Sequence, residues 1–112
     1  MNYTGKIIVR NSEGIREDHD WGGFNKLLCD DTTNDPNFTF GEMRYSPGGL
    51  RGPIQGHEAF HCLRGRGVLR VLCAKGLEGD PISIPLNPGS EFYVRGDVPR
   101  TIESSSDDPL FG

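Results

Sequence analysis

Long apolar runs are missing from this chain of 112 residues, and so is any excess of basic residues. A membrane-spanning helix needs roughly 18–20 consecutive apolar residues. No stretch approaches that, and the N-terminus, MNYTGKIIVR, lacks the apolar segment of a secretory signal. A cytoplasmic protein is expected. Twelve Lys and Arg stand against sixteen Asp and Glu, a formal net charge of −4. The basic residues are scattered, which leaves no face to neutralise phosphates and excludes nucleic acid as an expected partner. Cysteine is scarce too: Cys29, Cys62 and Cys73 are odd in number, lack CxxC spacing and lie in apolar runs. They read as buried, reduced thiols. His61 adjoins Cys62, but neighbours on a strand point to opposite faces, so the two do not make a nucleophile and its base. Helical periodicity is also absent; the best candidate is a short turn within residues 11–20, which Asn11 or Ser12 could cap.

What the chain does have is turn chemistry and short strands. Sixteen Gly and eight Pro punctuate it, supplying positive φ and fixed φ respectively. Between them lie β-branched and aromatic runs at 6–10, 38–45, 58–63, 67–74, 82–86, 91–95 and 100–104. Turns are read at Ser46-Pro47-Gly48-Gly49, Arg64-Gly65-Arg66-Gly67, Gly76-Leu77-Glu78-Gly79-Asp80 and Asn87-Pro88-Gly89. Many short strands in so small a chain predict an all-β, antiparallel sandwich or barrel of one domain over residues 1–112. Residues 1–5 and 105–112 are expected to fray, and 30–37 to form a polar loop.

Glu58 needs a reason, because a carboxylate inside an apolar strand is costly unless paired. Alternation puts Glu58, Phe60 and Cys62 on one face and His57, Ala59 and His61 on the other. His57 and His61 would stand about 13 Å apart along the strand, too far to share an ion. They read as surface or subunit-interface histidines, and His19, flanked by Asp18 and Asp20, as solvated.

Glu58 separated from Gly65 by six residues, followed by the Asn87-Pro88-Gly89 turn, EFYVR and a strand at Arg100, resembles the two cupin motifs. Within that superfamily the chain resembles ectoine synthase over about residues 7–104, through Ile8-Val9-Arg10, Trp21 leading to Leu27-Leu28-Cys29-Asp30-Asp31, Phe38-Thr39-Phe40, Glu58-Ala59-Phe60-His61-Cys62 and Gly65-Arg66-Gly67. The resemblance implies a single-domain antiparallel cupin (jelly-roll) β-barrel with Glu58 pointing inside, and a homodimer. Cupin metals are usually held by His residues with the Glu. Here residues 51–54 hold no imidazole, Arg100 stands where the second motif supplies its His, and Phe92 where ectoine synthase has a Tyr. No cofactor is therefore expected.

The function expected from the resemblance is that of a small-molecule lyase or cyclase, dehydrating or closing a ring on a compact, carboxylate-bearing substrate. Glu58 would transfer the proton, Trp21 and Phe92 would wall the pocket, and Arg100 would anchor the carboxylate. Trp21 could equally plug one barrel end, and Arg100 could point to solvent beside Pro99. Two alternatives stay open: a metal-free cyclase of a larger apolar metabolite, shaped by Phe38, Phe40, Phe60 and Phe92, and a cupin that binds a small molecule or partner without chemistry, with Glu58 and Arg100 kept as a structural pair.

Overall fold

A computed structural model describes residues 8, 10, 11, 13–72 and 81–112. Along these run β1 (Ile15–His19), β2 (Gly22–Leu28), α1 (Asp30–Thr33), β3 (Phe40–Tyr45), β4 (Leu50–Ile54), β5 (Glu58–His61), β6 (Gly67–Val71), β7 (Ile82–Leu86), β8 (Glu91–Val94) and β9 (Arg100–Ser104). All pairings are antiparallel, in three sheets ordered β1-β2-β3, β4-β9-β6-β7 and β5-β8. Among the described residues, no helix is long and apolar enough to cross a membrane. Of the strand expected over 6–10 only residues 8 and 10 are described, neither in a strand, while the end of that over 67–74, the turn at 76–80 and Cys73 lie outside the described residues.

The core forms where the period-two pattern is strongest. Tyr45, Phe60, Cys62, Leu69, Leu86, Val94, Ile102 and Leu110 bury together, drawn from β3, β5 through β9 and the C-terminal segment. That segment corrects the expected fraying over 105–112. Leu110 is fully buried, the backbone N–H of Tyr45 donates to its carbonyl at 2.9 Å, and Phe111 bridges Arg44 of β3 to Arg64 beyond β5. The apolar Leu110-Phe111 pair anchors what the polar residues before it would not. Gly65 permits the approach, since with φ +82° a Cβ there would stand 1.9 Å from the Pro109 carbonyl oxygen.

Three further expectations are corrected. Residues 15–19 form β1 rather than a helical turn, because their backbone pairs residue for residue with β2. The 30–37 loop contains α1, whose start is closed by Cys29 and Thr32 and favoured by Asp30 and Asp31 in the first turn. The strands do not close into a barrel. β1 is a charged edge strand, and Pro53 in β4 has no amide hydrogen to extend a ladder, so one side stays open between the three-stranded sheet and β4.

Candidate functional site

Glu58 opens β5 with its side chain turned inward and almost fully buried. It survives there because both carboxylate oxygens are engaged. Arg100, at the start of β9 and 1% exposed, donates to Oε1 from Nε at 3.3 Å and Nη2 at 3.1 Å, while its Nη1 donates to the Val98 carbonyl at 3.2 Å. Arg51, on β4, donates from Nη1 to Oε2 at 2.6 Å. Two guanidinium groups thus share one carboxylate, and among the described residues neither pairs with another. The cluster keeps one surplus positive charge in a poorly solvated place.

That surplus sits on a cleft. The inner face of the three-stranded sheet, with Glu17, Phe24, Lys26 and Met43, faces β4, with Arg51 and Ile54, across a cavity of about 530 Å³. Trp21 lies in the turn between β1 and β2 and closes one end, its ring 5.5 Å from the Arg51 guanidinium carbon and 5.0 Å from Tyr45. The turn is seated tightly on its neighbour: its carbonyl accepts from Ser46 at 2.9 Å, and a Cβ at Gly49 would stand 2.3 Å from the same oxygen. Burial pushes the Tyr45 phenol up to about 12, against the opposing pull of Arg51, so it stays protonated behind the guanidinium. A larger groove of about 700 Å³ lies on the outer face of β4, β6 and β9, beside Leu50, Val68 and Glu103, and touches none of these groups.

Of the residues singled out in the sequence, Glu58 and Arg100 meet, and Trp21 lines the cleft. Arg100 is sealed from the cleft by its own contacts and does not reach solvent. Phe92 is not in the cleft lining; its ring stacks on Phe60 at 5.4 Å. Phe38 and Phe40 are exposed, so the four phenylalanines do not gather into one apolar pocket. Two groups escaped the sequence reading. Arg51 lay between the turn read at 46–49 and the strand read from 58, in residues noted only for holding no imidazole, although an Arg seven residues before a buried Glu was a signal. His19, read as solvated, is exposed, and its ring also stacks on Trp21 at 5.0 Å and lines the cleft.

The donor set at Glu58 does not fit a metal ion. Both oxygens are taken and the adjoining groups are permanent cations. Among the described residues no three His, Cys, Asp or Glu converge on a point where an ion could sit.

No protein-family model and no curated protein matches the chain. Solved structures do. Oxalate decarboxylase of Bacillus subtilis superposes with a TM-score of 0.70 at 14% identity, covering 88% of this chain and 26% of its own. Hydroxypropylphosphonic acid epoxidase from S. wedmorenis, solved with fosfomycin, gives 0.69 at 16%, covering 94% and 56%. An Fe(II) form of HppE with substrate gives 0.65 at 16%, covering 95% and 58%. The chain thus spans about a quarter of the decarboxylase and little more than half of the epoxidase. These neighbours overturn the expectation of a protein without a cofactor, since Mn(II) centres are described for the decarboxylase and Fe(II) for HppE. Absent motif histidines therefore do not exclude an ion. At these identities the likeness is one of architecture: the chain has the cupin fold.

Proposed function

We propose that the chain takes a compact carboxylate-bearing small molecule into the cleft, with the carboxylate on Arg51 and the body against Trp21. A single observation carries this reading: the Glu58–Arg51–Arg100 cluster holds one positive charge more than it neutralises, and the surplus guanidinium lines the cavity. A bound carboxylate completes the balance, and the planar fork of Arg suits it. Arg51 replaces Arg100 as the anchor because Arg100 is already saturated and sealed.

The same geometry supports a lyase or cyclase reaction of the kind the ectoine synthase resemblance implies. A carboxylate that takes Arg51 releases Oε2 of Glu58, which then accepts a proton from the bound molecule. The reading as a binder without chemistry has its own support, since in the unliganded chain both Glu58 oxygens are occupied. The apolar-metabolite reading is disfavoured by Glu17, His19 and Lys26 on the cleft wall.

Trp21, the one Trp of the chain, reports on the cleft. Titration with compact 2-oxo and hydroxy acids is expected to shift its fluorescence, and Arg51→Met to abolish the response. A response unchanged in Arg51→Met, or none for any acid, would sink the reading. Turnover of a responding acid, or its absence, separates enzyme from binder.

A further inference from the structure

We propose that His19 is a second proton-exchanging group of the cleft, presenting Nδ1 to the bound molecule from the wall opposite Arg51; this rests on the carboxylate-binding reading above.

Two contacts hold the imidazole, and a third holds its partner. Its ring lies nearly parallel to that of Trp21, at 5.0 Å and 7°. Its Nε2 stands 3.3 Å from Glu17 Oε2, and the other Glu17 oxygen is held by the Lys26 ammonium. All four residues line the cleft that Arg51 closes at its inner end. Strand geometry explains the grouping. Glu17 and His19 are two apart on β1 and share its inner face, and Phe24, paired with Glu17, is two residues from Lys26 on β2.

The chemistry follows from which nitrogen is engaged. The hydrogen bond to Lys26 is the main cause holding the Glu17 carboxyl below the ordinary carboxylate range. An ionised carboxylate only accepts, so Nε2 carries the hydrogen in the contact and Nδ1 is the nitrogen left for the cleft. An imidazole oriented by a third group, beside a bound molecule, is the arrangement that acid–base catalysis requires.

Loss of water needs two such groups. Glu58 Oε2, released from Arg51, takes a proton from carbon, and the C–H electron pair becomes the new double bond. The C–O bond breaks with its electrons on oxygen, which leaves as water carrying a proton from Nδ1 of the protonated imidazole. Solvent then returns one proton to His19 and removes one from Glu58. Ring closure with loss of water balances in the same way, the nucleophile's proton going to Glu58.

Two measurements test the assignment. Side-chain nitrogen NMR of the neutral imidazole is expected to show His19 as the Nε2–H tautomer, with that preference lost in Glu17→Ala. An Nδ1–H tautomer, or a spectrum indifferent to Glu17→Ala, would overturn it. The second uses 2-oxobutyrate, whose C3 hydrogens exchange with deuterium oxide by reversible enolisation, itself dependent on a proton delivered to oxygen. Wild-type protein is expected to accelerate the exchange, and His19→Gln to slow it by about 10²-fold or more while Trp21-detected binding of the acid changes less than about threefold. Binding kept with exchange unchanged, or binding with no exchange in the wild type, rejects His19 and leaves the cleft reading standing. Absence of binding rejects both.

Discussion

Two charged clusters, one lining the cleft and one reaching it only through Arg51, are built on opposite principles. At the inner end Glu58, Arg51 and Arg100 belong to three strands of two sheets, and Glu58 and Arg100 are almost fully buried. At the mouth Glu17, His19 and Lys26 belong to one hairpin and are between 30% and 40% exposed. A buried charge persists only when paired, so the inner cluster is locked to the fold. Exposed pairs contribute little to stability. The division separates a cluster tied to the core, from which Arg51 alone reaches the cleft, from one carried by a single hairpin, and it makes unequal demands on stability.

The largest effect should come from Glu58→Gln, which leaves two guanidinium groups without a counter-charge: about 3–5 kcal/mol lost in denaturant unfolding. Arg100→Met should cost less, because Arg51 still neutralises Glu58, and Arg51→Met least of the three. A reversed ranking would break the charge assignment. The double-mutant cycle of Glu58 and Arg100 should show coupling of about 0.5–3 kcal/mol.

Next come substitutions that compare the core half with the cleft half. Leu110→Ala, in the fully buried tail, should lose about 2–5 kcal/mol. Phe24→Ala, on the half-buried cleft wall, should lose clearly less, as read from chemical denaturation of both. Equal losses would mean that the three-stranded sheet carries as much of the core as the others.

Tyr45 provides a pH effect of similar or smaller size. Its phenol is raised in the folded state to about 12, above an ordinary value of about 10. Its contribution is fully present below the ordinary value and is lost as pH climbs toward the folded one. At most about 3 kcal/mol is involved, at 1.36 kcal/mol per unit. Stability of the wild type should therefore fall more steeply than that of Tyr45→Phe between about pH 10 and 12. Parallel curves would place the phenol in water.

The smallest effect belongs to the mouth. Lys26→Ala should change stability by no more than about 1 kcal/mol while altering the Trp21 emission through Glu17 and His19.

The core half of this comparison was legible in the sequence and the cleft half was not. Strands 82–86 and 100–104 match β7 and β9 end to end, and the alternation of Glu58, Phe60 and Cys62 inward was readable, because burial there imposes a period of two. β1, reading Ile-Arg-Glu-Asp-His, shows no apolar alternation, since its inner face meets a polar cavity rather than a core. β4 contains Gly52-Pro53, which interrupts any run of strand-forming residues, and so hid Arg51. Pairing across a cavity leaves no apolar period, which is why both Arg51 and His19 emerged only with the strands in place.

That Arg51 is shared between Glu58 and an incoming carboxylate is tested most directly by the affinity of Glu58→Gln for an acid that shifts Trp21 emission, measured well below the unfolding temperature of the variant. With the competing charge gone and a neutral acceptor left for Arg100, binding should tighten by about tenfold, or 1.4 kcal/mol. Unchanged or weaker binding would contradict the exchange on Arg51.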